Sequence, residues 1–184
     1  MLDVRKLDLP GVLEIRPRRF SDDRGFFSEV WNADGWAEVG ISSRFVQDNH
    51  SISRARGVLR GLHFQCPPHA QEKLVRVTSG SVFDVAVDIR SGSKTFGRWT
   101  SLRISAAEWN QIFIPEGFAH GFLTLEENTE VQYKVSRPYS AAMDRSIRFD
   151  DATIGIDWPI VAAELILSEK DRAAPLLADV RTGF

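Results

Sequence analysis

"SVFDVAVDIR", residues 81–90, is the stretch whose reading decides the fold. Its side chains alternate. Phe83, Val85, Val87 and Ile89 share one face of an extended chain, and Val82, Asp84, Ala86 and Asp88 share the other. Period-two patterning marks a β-strand, because successive side chains of extended backbone point to opposite faces. The pattern returns on either side. "KLVRV" (73–77) alternates, and "EVQYKVS" (130–136) sets Val131, Tyr133 and Val135 against Glu130, Gln132 and Lys134. Turn-forming clusters punctuate these runs: "DDRG" at 22–25, "TSG" at 78–80, "RSGS" at 90–93, "PEG" at 115–117 and "EEN" at 126–128. Short strands at this spacing predict an all-β sandwich or barrel, jelly rolls included. Helices are expected to be few, short and peripheral. One falls within "NADGWAEVGI" (32–41). Another follows Ser168, where "SEKD" has capping-box spacing with Asp171 at the third helical position.

Composition narrows the function classes. A chain of 184 residues, 43% hydrophobic and 26% charged, suits one domain (1–184) with its own core. The net charge of -2 supplies no sequence-wide basic surface, which argues against nucleic acid or an anionic membrane as partner. The opening "MLDVRKLDLP" lacks the apolar core of a signal peptide. No run approaches the roughly 20 apolar residues of a membrane-spanning helix. The single cysteine, Cys66, excludes an intramolecular disulfide and fits a reducing cytoplasm, the expected location.

Two stretches carry candidate chemistry. "GVLRGLHFQ" (57–65) reads as a strand, yet it holds Arg60, His63 and an internal Gly61. "IPEGFAHGF" (114–122) contains Pro-x-Gly-x-x-His, with Pro115 and Gly117 shaping a turn before His120. That motif resembles the second motif of the cupin superfamily, whose fold is a small jelly-roll barrel. A metal-binding cupin pairs such a His with His-x-His on an earlier strand, since residues two apart share a face. Here the place reads His63, Phe64, Gln65, so the ligand set is incomplete and no metal is expected. A lone His in an apolar strand is most often a hydrogen-bonded core side chain. Lys73 on the face of Val75 and Val77 would by itself be an edge-strand charge, and Tyr133 a core aromatic. A barrel, however, gathers side chains from several strands into one interior, where His63, Lys73 and Tyr133 can meet.

The chain resembles the dTDP-4-dehydrorhamnose 3,5-epimerase family nearly end to end. The matching blocks include "DDRGFFSEVW" (22–31), "FVQDNHSIS" (45–53), "GVLRGLHFQCPPHAQEKLVRV" (57–77), "VFDVAVDIRSGSKTFGRW" (82–99), "IPEGFAHGF" (114–122), "EVQYKVS" (130–136), "IGIDWP" (154–159) and "LSEKDR" (167–172). The resemblance implies a metal-free cupin-type jelly roll, usually a homodimer, acting on a dTDP-linked 4-keto-6-deoxy sugar. It implies no cofactor, because the substrate already carries the activating ketone. By the same resemblance His63 is the base, Asp171 its carboxylate partner, Tyr133 the acid on the opposite face and Lys73 the cation beside the enolate oxygen. Arg24, Gln47, Asn49, Arg60 and His120 are similar to residues that bind sugar and diphosphate. Phe27 and Glu29 resemble residues lent to the neighbouring subunit's site, and Tyr139 and Lys170 residues at the nucleotide end.

By spacing alone Asp171 is a capping residue, and only the "LSEKDR" resemblance makes it a partner of His63; the two roles are compatible. The "RPRR" cluster (16–19) reads as a solvated basic patch. Pro138 stands where many relatives have an aromatic residue, and Lys94 where "GSPTFG" has Pro. Two other functions compete: a single-carbon epimerase of a related dTDP-keto-sugar, and a cupin that binds a sugar or metal without turnover. Strict alternation puts Arg60 and His63 on opposite faces. Gly61 between them predicts a bulge that aims both into one site.

Overall fold

The architecture is that of a computed structural model describing residues 2–184. Among the described residues thirteen strands run in chain order: β1 (Asp3–Lys6), β2 (Leu13–Arg16), β3 (Arg19–Asp22), β4 (Gly25–Ser28), β5 (Gln47–Ser53), β6 (Leu59–Gln65), β7 (Lys73–Ser79), β8 (Ser81–Asp88), β9 (Trp99–Ser105), β10 (Gln111–Ile114), β11 (Phe118–Thr124), β12 (Thr129–Val135) and β13 (Asp144–Ser146). Two short helices, α1 (Ala33–Ala37) and α2 (Glu169–Arg172), lie within the two stretches expected to hold them, α2 at the capping-box spacing after Ser168. Asn32 caps α1 and Ser168 caps α2 through their side-chain oxygens. No helix is long and apolar enough to cross a membrane among the described residues.

The strands form a jelly-roll sandwich. One sheet has the order β1-β2-β10-β7-β12-β5 and the other β13-β6-β11-β8-β9, with β3 and β4 apart as a two-stranded ribbon. The pairings between these strands are all antiparallel. Between the two sheets pack Val75, Val77, Val82, Ala86, Ile112, Ile114, Phe118, Phe122 and Val131. Burying each such aliphatic or aromatic side chain contributes roughly 1.5–3 kcal/mol, which makes this interior the main stabilising layer.

Both faces of β8 are covered. Val82 and Ala86 face the interior, whereas Val85, Val87 and Ile89 pack outward against Ile147, Ile154 and Leu177 of the C-terminal segment. The more apolar face of "SVFDVAVDIR" is therefore the outer one. Its more polar face turns Asp84, fully buried, into the barrel.

β6 carries the predicted irregularity. His63 pairs with His120 and Arg60 with Phe122, so Gly61 and Leu62 oppose only Gly121. That two-against-one count is a β-bulge. Leu59, Leu62 and Phe64 all pack on the outer side, which leaves Arg60 and His63 on the inner side together. Only glycine fits at the bulge. Gly61 has φ +133°, and a Cβ there would meet Gly121 Cα at 2.5 Å and His120 O at 2.9 Å.

Candidate active site

A cavity of about 600 Å³ opens between the sheets, a size suited to a small organic ligand. The five-stranded sheet supplies Arg60 and His63 from β6 and His120 from β11. The facing sheet supplies Gln47 and Asn49 from β5, Lys73 from β7 and Tyr133 from β12. Each of these residues sits at an inward position of its strand: alternation puts Lys73 and Tyr133 there, and the bulge at Gly61 is needed for Arg60 and His63 to share that side.

Asp171 arrives by another route. The chain at Ile166 bridges to Val58 in parallel, with Leu59 N donating to Ile166 O at 3.0 Å and Ile166 N to Gly57 O at 2.8 Å. This edge pairing carries the chain alongside β6 and sets α2 beside His63. His63 Nε2 lies 2.5 Å from Asp171 Oδ1, while Ser168 Oγ donates to Asp171 Oδ2 at 2.8 Å. Ser168 Oγ also accepts from Asp171 N at 3.1 Å, so one residue is both the capped position and the histidine's partner. Burial pushes the Asp171 carboxyl up, but hydrogen bonds from His63 and Ser168 and the nearby Lys170 outweigh it and hold the group below its ordinary range.

Lys73 is buried, and its ammonium donates to the His63 carbonyl at 3.3 Å. Burial lowers it to about 8, with Asp84 and Asp144 opposing the drop. Tyr133 is pushed above its ordinary value by burial, so its hydroxyl keeps its proton at neutral pH. His120 is buried with Nε2 on both oxygens of Asp84, at 3.0 and 2.9 Å. Arg60 is exposed at the mouth, held only by Ser53 Oγ at 3.4 Å and the Ile52 carbonyl at 3.3 Å. Among the described residues it forms no salt bridge, which leaves its planar fork open to an anion. At the other rim, Lys170 Nζ and Tyr139 Oη converge on Asp144 Oδ2 at 2.5 and 3.3 Å. Gln47 accepts from Tyr139 N at 3.0 Å and donates to Asn49 at 2.8 Å, tying β5 to that rim.

A profile of one family, described as dTDP-4-dehydrorhamnose 3,5-epimerase, matches residues 6–179. The chain belongs to that family. It is 51% identical over 178 residues to the dTDP-4-dehydrorhamnose 3,5-epimerase of Salmonella typhimurium, covering 96% of each chain. It is 48% identical over 184 residues to that of Sinorhizobium fredii, covering 98% of this chain and 92% of the relative. Among solved structures, the dTDP-6-deoxy-D-glucose-3,5-epimerase of Legionella pneumophila in complex with dTDP-4-keto-L-rhamnose superposes with a TM-score of 0.94 at 43% identity, covering 98% of this chain and 95% of that one.

Ten of the thirteen candidate residues line this epimerase-family cavity: His63, Tyr133, Asp171, Lys73, Gln47, Asn49, Arg60, His120, Tyr139 and Lys170. Arg24, Phe27 and Glu29 do not. They lie on or just after the β3–β4 ribbon, where Arg24 pairs with Asp22 at 2.6 Å and Phe27 is 69% exposed. Sequence reasoning missed two acids. Asp84 left a signal, an acid between Val82 and Ala86 on a strand that is apolar on both faces. Asp144 sits in "AAMDRS" with no local pattern. Gln65, at the place of the second His of a metal-binding cupin, spends its amide on structure. It donates to the carbonyls of His69 and Pro138 at 2.7 and 3.3 Å and accepts from Ser140 N at 2.7 Å.

Proposed function

We propose that this chain, as one epimerase domain spanning 1–184, inverts carbons 3 and 5 of dTDP-4-dehydro-6-deoxy-D-glucose to give dTDP-4-dehydro-L-rhamnose. The observation that carries this reading is the pairing of His63 with Asp171 at 2.5 Å across one cavity from Tyr133. Asp171, as a carboxylate, accepts the Nε2–H of His63, which leaves Nδ1 as the basic nitrogen. His63 takes the proton from a carbon beside the ketone. The C–H electron pair becomes the double bond of an enolate, and negative charge gathers on the former ketone oxygen. Lys73 stabilises that charge, and a well-placed donor in a dry site is worth about 3–4 kcal/mol. Tyr133 then protonates the carbon from the facing sheet, inverting it. Proton exchange with water returns both residues to their starting states, and the cycle repeats at the second carbon.

In this reading Arg60 grips the diphosphate, and Gln47, Asn49 and His120 hold the sugar. Tyr139 and Lys170 meet the nucleotide. The working form is a homodimer in the cytoplasm, in which the ribbon of a second copy brings Phe27 and Glu29 to the neighbouring cavity, with Arg24 at its tip. Support for this comes from the ribbon itself: an isolated two-stranded hairpin is marginal in water, and it exposes Phe20 and Phe27.

Incubating the protein with the keto-sugar nucleotide in heavy water and following deuterium by NMR tests the proposal. Deuterium at both carbons together with inverted product is expected. Inversion at one carbon only would make it a single-carbon epimerase, and absence of exchange would make it a binding protein. His63→Ala should abolish exchange at both carbons, and Tyr133→Phe should spare some exchange while impairing inversion. Near-normal exchange in His63→Ala would overturn the assignment of the base.

A further inference from the structure

Behind the cavity wall lies an acid that the proton transfers above do not use. Asp84 is fully buried on β8, and both its oxygens receive His120 Nε2 at 3.0 and 2.9 Å. It does not line the cavity, whereas its two charge partners, His120 and Lys73, do. Its register neighbours on either side are the apolar Phe122 and Leu102. We infer that Asp84 is a positioning residue for the reaction: it holds His120 as the Nε2–H tautomer and keeps Lys73 an ammonium at the enolate site.

Two consequences give the inference content. With Nε2–H committed to Asp84, neutral His120 presents Nδ1 as an acceptor. It can take a hydrogen bond from a sugar hydroxyl but cannot donate one to the enolate, which leaves Lys73 as the donor there. Lys73 in turn is a buried cation, and a buried cation needs a nearby anion to stay charged. The titratable groups facing Lys73 are Asp84 on β8, His120 on β11, His63 and Arg60 on β6, Tyr133 on β12 and Asp144 on β13. Of these only Asp84 and Asp144 supply negative charge to it, and Asp144 is shared with Lys170 at the rim.

The inference rests on the epimerase reading, and Asp84→Asn tests it. The substitution keeps the shape and an oxygen for His120 but removes the charge. The alkaline limb of kcat should move to lower pH, so the wild-type-to-variant ratio should be about fivefold larger at about pH 9 than at about pH 7 for a limb moved down by about one pH unit, and at most about tenfold larger, with KM little changed. A ratio constant across pH would reduce Asp84 to a structural role and overturn the inference. A second measurement needs neither substrate nor a folded variant. Nitrogen-15 NMR of the four histidines of the wild-type chain should find His120 neutral and protonated at Nε2. Finding Nε2 bare overturns the inference even if the epimerase reading stands. Absence of turnover in the wild type overturns the epimerase reading and leaves this tautomer result to be judged separately.

Discussion

Lys73 shows how one residue can be expensive for the fold and useful to the site. Its ordinary value of 10.5 falls to about 8 on burial. Between these two values the unfolded chain binds the proton more tightly than the folded one, so this residue's contribution to stability rises with pH through that window. The chemistry runs the other way, because the ammonium that stabilises the enolate is lost above about 8. Lys73→Met should therefore lower kcat by about 10²–10³ and remove the wild type's loss of activity at alkaline pH. It should also flatten the stability rise, read by urea unfolding on either side of that window. His63 and Asp171 make the complementary point. Asp171→Asn keeps a hydrogen bond but withdraws the carboxylate that orients the ring and favours the imidazolium. The expected loss in kcat is about 10²–10⁴, with a small change in KM, measured by steady-state kinetics.

Among the elements, β6 and α2 decide the site. The bulge at Gly61 places Arg60 and His63 on one side, and Gly61→Ala would force a side chain against the Gly121 backbone at positive φ. Such a change should cost more than about 1 kcal/mol and lower Tm by at least about 2–4 °C, with activity lost beyond what the lower stability explains. Calorimetry and a kcat measured well below Tm separate the two effects. Ser168→Ala removes both the cap of α2 and a hydrogen bond to Asp171. A lost cap costs typically about 1 kcal/mol, and here kcat should fall as well, since the same hydroxyl steadies the acid that orients His63. Gly61 was legible as a bulge because glycine inside an apolar strand has few other uses. The cap at Ser168 was legible from spacing. That the capped acid also reaches His63 followed only from the "LSEKDR" resemblance and from no local pattern, because 108 residues separate the two and the Ile166–Val58 bridge helps to bring them together.

At the level of the whole molecule, two sheets face each other and donate from opposite sides. His63 comes from the five-stranded sheet and Tyr133 from the six-stranded one, an arrangement suited to removing a proton from one face of a ring and returning it to the other. The β3–β4 ribbon stands outside both sheets, and its exposed phenylalanines make the proposed homodimer testable. Phe27→Asp should raise KM for the nucleotide sugar while leaving the His63–Asp171 pair intact. Truncating the ribbon should shift sedimentation toward the monomer. A truncated chain that sediments as the wild type and keeps its KM would remove the ribbon from the site.

Alternation and turn chemistry by themselves determined an all-β sandwich or barrel with a few short helices, because side-chain period and backbone preference are local properties of the chain; the jelly roll in particular followed from the family resemblance. The inward positions of Lys73 and Tyr133 followed from the same period. Tertiary structure alone decided which face of "SVFDVAVDIR" is the interior, because both faces are buried and the C-terminal segment covers the more apolar one. It also decided the company of Asp84 and Asp144. Each is an ordinary acid in sequence, and its partners lie on other strands. No local pattern encodes which charges a closed barrel will press together.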